Sequence, residues 1–388
     1  MHARTWLSAL SLPLVAVFTW PSASQKLPAA DGAKTATPAQ DPLAGMTDIA
    51  TILELVQANY VDRPDMPKVI GGGIQAALER AHPLNSLLTP EDLRAGDPGP
   101  ATAGMTVVKR GIYAQVLAVV PGGPADLAGV QIGDVIRRVN DEPIGPLSSW
   151  RLDRMLRGTA GTKVALFRYA AATADLGKVE VALQVPKVRA ITARTTDQGT
   201  LLTLPDLKAG RAVELKAAIL KLDHAKPLIL DLRDDTEGSL AEAAAIAGLF
   251  TGAGPFATIQ DAGKPDRAVA IQASGLQPFK ELVVIQGPST LGASEALSSC
   301  LKKTGATLVG ERTPGLGVAL TRLPLRDGGA VELVTERWIG DGGEKLDRQG
   351  VTPNRALKLG PKDDPIQSVL AALATPAPVN TRVKQEHA

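Results

Sequence analysis

Two serines, Ser289 and Ser294, lie in V-V-I-Q-G-P-S-T-L-G-A-S-E-A-L at 283–297, where an apolar run gives way to small residues and then to a helical pattern. A turn of this kind at a strand end exposes side chains for chemistry. A serine hydroxyl becomes a nucleophile only beside a base. Histidine does not supply one: His2 and His387 lie near the chain ends, and His82 and His224 stand far apart among polar residues, so no Ser-His-Asp set assembles. Lys302 and Lys303 follow Ser294 by about 12 Å on the predicted helix, at ~1.5 Å per residue. Arg312 stays protonated near neutrality and is no base. Lys345, in G-D-G-G-E-K, is the candidate that spacing leaves open. Ser294 or Ser289 with Lys345 would be a dyad for acyl transfer. The simpler roles are a helix start for Ser294, its hydroxyl satisfying free N–H groups, and a turn after Pro288 for Ser289.

Asp234, Asp235 and Glu237 form an acidic cluster after P-L-I-L-D-L-R. A metal or acid/base site is one reading, and a solvated acidic loop explains the same residues with fewer assumptions. No Cys/His group has zinc-ligand spacing, so neither metal nor cofactor is expected. The single cysteine, Cys300, sits in an apolar pattern and reads as a small buried hydrophobe.

The elements that must position these residues fall into several units, as 388 residues allow. Residues 1–24 have the short basic start, apolar run and small residues of a secretory signal, which predicts export to the periplasm or cell exterior. Residues 25–45 read as a linker, and nothing later reads as an integral membrane segment of the mature chain. Residues 46–95 read as helices, with Ile49, Ile52, Leu53 and Val56 on one face. A breaker-rich joint at 95–103 leads to short strands over 104–187. The segment 189–372 alternates strands and helices, with a hairpin at Asp327-Gly328, and 373–388 reads as a flexible tail. Lysine plus arginine (42) nearly balance aspartate plus glutamate (40), so nucleic acid is not an expected partner.

The segment P-G-G-P-A-D-L-A-G-V at 121–130, followed by G-D-V-I at 133–136, resembles a PDZ domain of the bacterial protease type. Pro124 can begin a short helix and Gly129 can end it. Such domains add an extended peptide beside an edge strand and hold its terminal carboxylate on backbone N–H groups. The matching loop is Gly104-Met105-Thr106-Val107, with Thr106 where the family usually has a second glycine. A helix at 147–156 would wall the groove. Its Trp150 and Leu152 either line an apolar pocket or pack the domain's core.

A wider resemblance spans about 52–357 and is similar to the carboxy-terminal processing, or tail-specific, serine proteases. It rests on A-N-Y-V-D (58–62), L-L-T-P-E-D-L (87–93), L-I-L-D-L-R (228–233), A-S-E (293–295), V-G-E-x-T (309–313) and G-V-T-P-N (350–354), in that order. The resemblance implies a multidomain α/β chain: a ββα-type, crotonase/ClpP-like protease core with an inserted PDZ domain and an N-terminal helical segment. It also implies a serine nucleophile and a partly desolvated lysine base. Here the nucleophile position is Gly292, the lysine position is Leu316, and the glutamine that orients the lysine falls on Leu320. Glu237 stands at the first of two glycines that help form the oxyanion hole, where a carboxylate would oppose the developing charge.

The expectation is therefore an exported, catalytically degenerate relative that binds peptides or protein C-terminal tails as a scaffold, adaptor or regulator. Active protease relatives or further copies of itself are the other expected partners. The rival expectation is an active serine endopeptidase with the displaced Ser/Lys dyad.

Overall fold

The computed structural model describes residues 45–235, 237–360 and 363–375. The signal-like segment, the linker up to residue 44 and the tail from 376 lie outside the described residues. The chain divides after Pro64 into two compact units. The first contains the helix Met46–Asn59, whose Ile49, Ile52 and Leu55 are exposed.

The second unit contains the remaining elements. Its centre is a six-stranded sheet ordered Thr192–Thr196, Gly199–Thr203, Leu228–Asp231, Leu282–Gln286, Thr307–Gly310 and Arg355–Ala356. The first pair is antiparallel and the others are parallel. Continuous apolar strands such as L-I-L-D and L-V-V-I-Q suit a sheet covered on both faces. Leu202, Leu228, Leu230, Val284 and Leu308 meet the helices Arg211–Ile219, Leu240–Phe250 and Ala293–Lys303. Leu201, Ile229, Val283, Ile285 and Val309 meet Ile366 and Val369 of the helix Pro365–Ala374. That helix carries the core beyond residue 372, into what the sequence suggested was tail.

A second, antiparallel sheet joins Ser86–Leu88, Ala330–Gly340, Gly254–Asp261 and Arg267–Ile271, with Val318–Pro324 paired to Ala330–Gly340. Ser86–Leu88 corrects the all-helical expectation for 46–95. Leu88 is fully buried there, and cross-strand pairing to Ala330 outweighs local propensity.

A third sheet runs Met105–Arg110, Tyr113–Val119, Val135–Val139, Lys163–Tyr169 and Leu176–Ala182, within the 104–187 span whose pattern suggests short strands. The helix Pro124–Leu127 has Pro124 at its first position, and Ser149–Met155 is capped by the Ser148 hydroxyl, which accepts from Arg151 N–H. Its core includes Val116, Ile136, Leu152, Leu166 and Val181. Leu152 thus packs the core, and its two sequence-level roles merge because the groove floor is the edge of that core.

Candidate active site and PDZ groove

The strand Leu282–Gln286 ends in a turn, and the helix Ala293–Lys303 begins after Gly292. Gly292 has φ 58° and ψ −111°, a left-handed-side conformation that side chains rarely adopt and that a sharp strand-to-helix elbow demands. A Cβ at Gly292 would meet only Leu316 O at 3.7 Å and Trp338 Cζ3 at 3.9 Å, both ordinary contacts. The nucleophile and base positions of the sequence reading are therefore side by side.

Glu295 holds them there. Its Oε2 accepts from Gly292 N–H at 3.0 Å and Leu316 N–H at 2.7 Å, and its Oε1 accepts from Gly315 N–H at 2.7 Å and the Thr313 hydroxyl at 2.6 Å. The side chain is fully buried. Burial pushes its carboxyl up to about 7, against the pull of four donors that favour the charged form. Glu295 was seen in sequence only as part of A-S-E. Its spacing of three from Gly292 is the signal for a carboxylate reaching back to the residue before a helix.

The three positions that the resemblance assigns hold Gly292, Leu316 and Leu320. Leu316 packs with Leu84 against a buried cluster of Val108, Leu117, Ala118 and Leu291, so the first two PDZ-like strands and the 313–316 loop share one apolar contact. Leu320 is 45% exposed on the strand Val318–Pro324, opposite Val334.

The fallback residues are not brought together as a dyad. The Ser289 hydroxyl is buried and donates to Leu117 O at 3.1 Å. Ser294 does not cap the helix, because Gly292 occupies that place. Its buried hydroxyl faces the Asp235 carboxyl without closing a hydrogen bond among the described residues. Lys345 is exposed and lines a separate cavity with Lys302 and Arg312.

The acidic loop divides in two. Glu237 is exposed and pairs with Lys208 at 2.7 Å, so its charge is turned to solvent instead of opposing an oxyanion. Asp235 is fully buried, which corrects the solvated-loop expectation, and burial pushes its carboxyl well above the usual range. Among the described residues no group of three or more His, Cys, Asp or Glu side chains converges as a metal site. Cys300 is fully buried, and burial pushes its thiol up to about 12.

In the PDZ-like unit, Met105–Arg110 is the edge strand and faces the helix Ser149–Met155 across a cavity of about 90 Å³. Met105, Thr106, Val107 and Lys109 form one wall, and Ser149, Leu152, Asp153 and Leu156 the other. Trp150 does not line it. Its backbone N–H donates to the Ser86 hydroxyl at 3.1 Å, and its ring carries the Arg154 guanidinium 4.7 Å from the centroid. Lys109 is held in that wall by its Nζ, which donates to Glu79 at 2.6 Å and to Gly145 O at 2.8 Å. Gly104 has φ 67°, and a Cβ there would lie 2.8 Å from the Pro124 ring. Gly104→Ala is expected to destabilise this unit by about 2 kcal/mol. Denaturant unfolding followed by fluorescence of a Trp338→Phe background, in which Trp150 is the one tryptophan among the described residues, checks it, and an unchanged midpoint would show that the loop tolerates a side chain.

Residues 200–357 match Peptidase family S41 and residues 115–167 match a PDZ domain. The chain is 24% identical over 325 residues to a "Probable CtpA-like serine protease" of Staphylococcus aureus, covering 80% of this chain and 64% of that protein. The chain thus spans under two thirds of the length of that relative. It is 26% identical over 316 residues to a "Carboxy-terminal-processing protease" of Bartonella bacilliformis, covering 78% of this chain and 73% of the relative. The solved photosystem II D1 C-terminal processing protease shares the fold, with a TM-score of 0.67, 22% identity, and coverage of 86% of this chain and 98% of that one. Motif order, sheet topology and these matches agree: the chain carries an S41 peptidase domain and a PDZ domain, and is a relative of the carboxy-terminal processing proteases.

Proposed function

We propose that this chain is an exported, catalytically degenerate S41 relative that binds peptides or protein C-termini through its PDZ groove and acts as a scaffold, adaptor or regulator. The observation that carries the reading is the elbow itself. A Cβ at Gly292 would lie 3.7 Å from the Leu316 backbone oxygen, both residues' N–H groups donate to the same Glu295 oxygen, and neither residue has a functional group. Loss of such groups typically costs on the order of a millionfold in rate. The displaced dyad has no comparable support, since Ser289 is committed to Leu117 O and Ser294 faces a carboxyl. Export rests on the signal pattern of residues 1–24. The peptide role rests on the edge strand and groove of the PDZ domain.

The test incubates the mature chain with unfolded proteins and with peptides ending in apolar residues, and measures binding and cleavage separately. The expected result is saturable peptide binding without cleavage, identical in Ser294→Ala and Lys345→Ala. Cleavage that survives purification and disappears in either variant would overturn the degenerate reading. Absence of binding to every peptide would overturn the adaptor role.

A further inference from the structure

A cavity of about 390 Å³ opens between the end of the helix Ala293–Lys303 and the 343–352 segment. Lys302, Arg312 and Lys345 line it, and Glu344 is the one carboxylate in its wall. Among the described residues none of the three cations lies within 4 Å of a carboxylate. Glu344 is already engaged, accepting from the Ser299 hydroxyl at 2.7 Å. Three positive charges gathered around one space repel one another, and an anion between them relieves that cost.

Two of the cations are held in place. Lys302 Nζ donates to Thr352 O at 2.8 Å, and Arg312 donates its Nε to Gln349 O at 2.5 Å, leaving both terminal nitrogens of the guanidinium uncommitted by that bond. Anchored side chains lose little freedom on binding, which favours affinity. An arginine fork beside two ammonium groups matches a tetrahedral group with several charged oxygens better than a lone carboxylate.

We propose that this cavity binds a multiply charged phosphoryl anion, as found in pyrophosphate or a phosphorylated small molecule. The site stands apart from the PDZ groove and is independent of whether the chain cleaves peptides. It adjoins the candidate active site through the backbone. Val351 N–H donates to the Thr313 hydroxyl oxygen at 2.8 Å, and that hydroxyl donates to Glu295. A ligand against Thr352 and Arg312 therefore sits one residue from the segment that fixes the elbow.

Calorimetric titration of the full chain with inorganic pyrophosphate at low ionic strength tests the proposal. Saturable binding is expected, weakened about tenfold or more by Arg312→Gln and several-fold by Lys345→Gln, and weakened by added salt. Lys345 is exposed, so its variant changes charge without touching the fold. Lys303→Gln, outside the cavity wall, is expected to bind as the parent does. No saturable binding up to roughly 10 mM, where the free energy is under 3 kcal/mol, would overturn the site. So would binding that both cavity variants leave unchanged. Vesicles containing phosphatidylglycerol form a second arm. Variant-sensitive binding to vesicles without binding to pyrophosphate would reassign these cations to a lipid surface and overturn the small-ligand site.

Discussion

The double substitution Gly292→Ser/Leu316→Lys is expected to make position 292 react with a serine-directed fluorophosphonate about a hundredfold or more faster than Gly292→Ser alone, while the parent is not labelled there. The factor is what a positioned general base contributes. A Cβ at the elbow meets nothing closer than 3.7 Å, so contacts leave room for it while the positive φ strains any side chain placed there. The introduced lysine would sit against Leu84, Val108, Leu117 and Leu291, and that desolvation would lower its pKa from about 10.4. Labelling should therefore rise with pH through a midpoint below that value. Mass spectrometry of the labelled peptide locates the adduct. Equal rates with and without the lysine would mean that the 313–316 loop does not deliver a base to the elbow.

Glu295→Ala is expected to destabilise the fold by about 3–5 kcal/mol near pH 8. It strands the N–H groups of Gly292, Gly315 and Leu316 and the Thr313 hydroxyl, and buried donors without acceptors are costly. The pH dependence has a defined sign. The folded carboxyl titrates at about 7, above its ordinary 4.5, so the native state holds its proton more tightly than the unfolded chain. That contribution is fully present below about pH 4.5 and is lost as pH rises through about 7. The stability difference between parent and variant should then shrink from pH 5 to pH 8, by up to roughly 3 kcal/mol. His82 contributes with the opposite sign, because burial lowers its pKa, and comparing parent with variant cancels it. A difference that stays constant or grows with pH would show that the four donors outweigh burial at Glu295.

Much of the fold was legible because its signals are local. Alternating strands with Gly and Pro breaks marked the PDZ sheet, and two-sided apolar strands marked the central sheet. The elbow was legible through Gly292, since small residues at a strand end have few other uses. Less legible were features set by distant partners. Ser86–Leu88 becomes a strand because Ala330–Gly340 lies beside it, and Trp150 leaves the groove because its backbone meets Ser86. Glu237 looked like an obstacle to catalysis until Lys208 drew it into solvent. The role of Glu295 depends on four donors spread over Gly292 to Leu316, and no local period encodes that convergence.

The contact of Val108, Leu117 and Ala118 with Leu291 and Leu316 has a bearing on how this chain can be dissected. The surface that the PDZ strands cover is not a polar seam between tethered modules. Removing those strands would leave Leu84, Leu291 and Leu316 as an adjoining greasy face and strip the Ser289 hydroxyl of its acceptor. An excised core would expose these leucines together and is expected to aggregate before its activity could be judged.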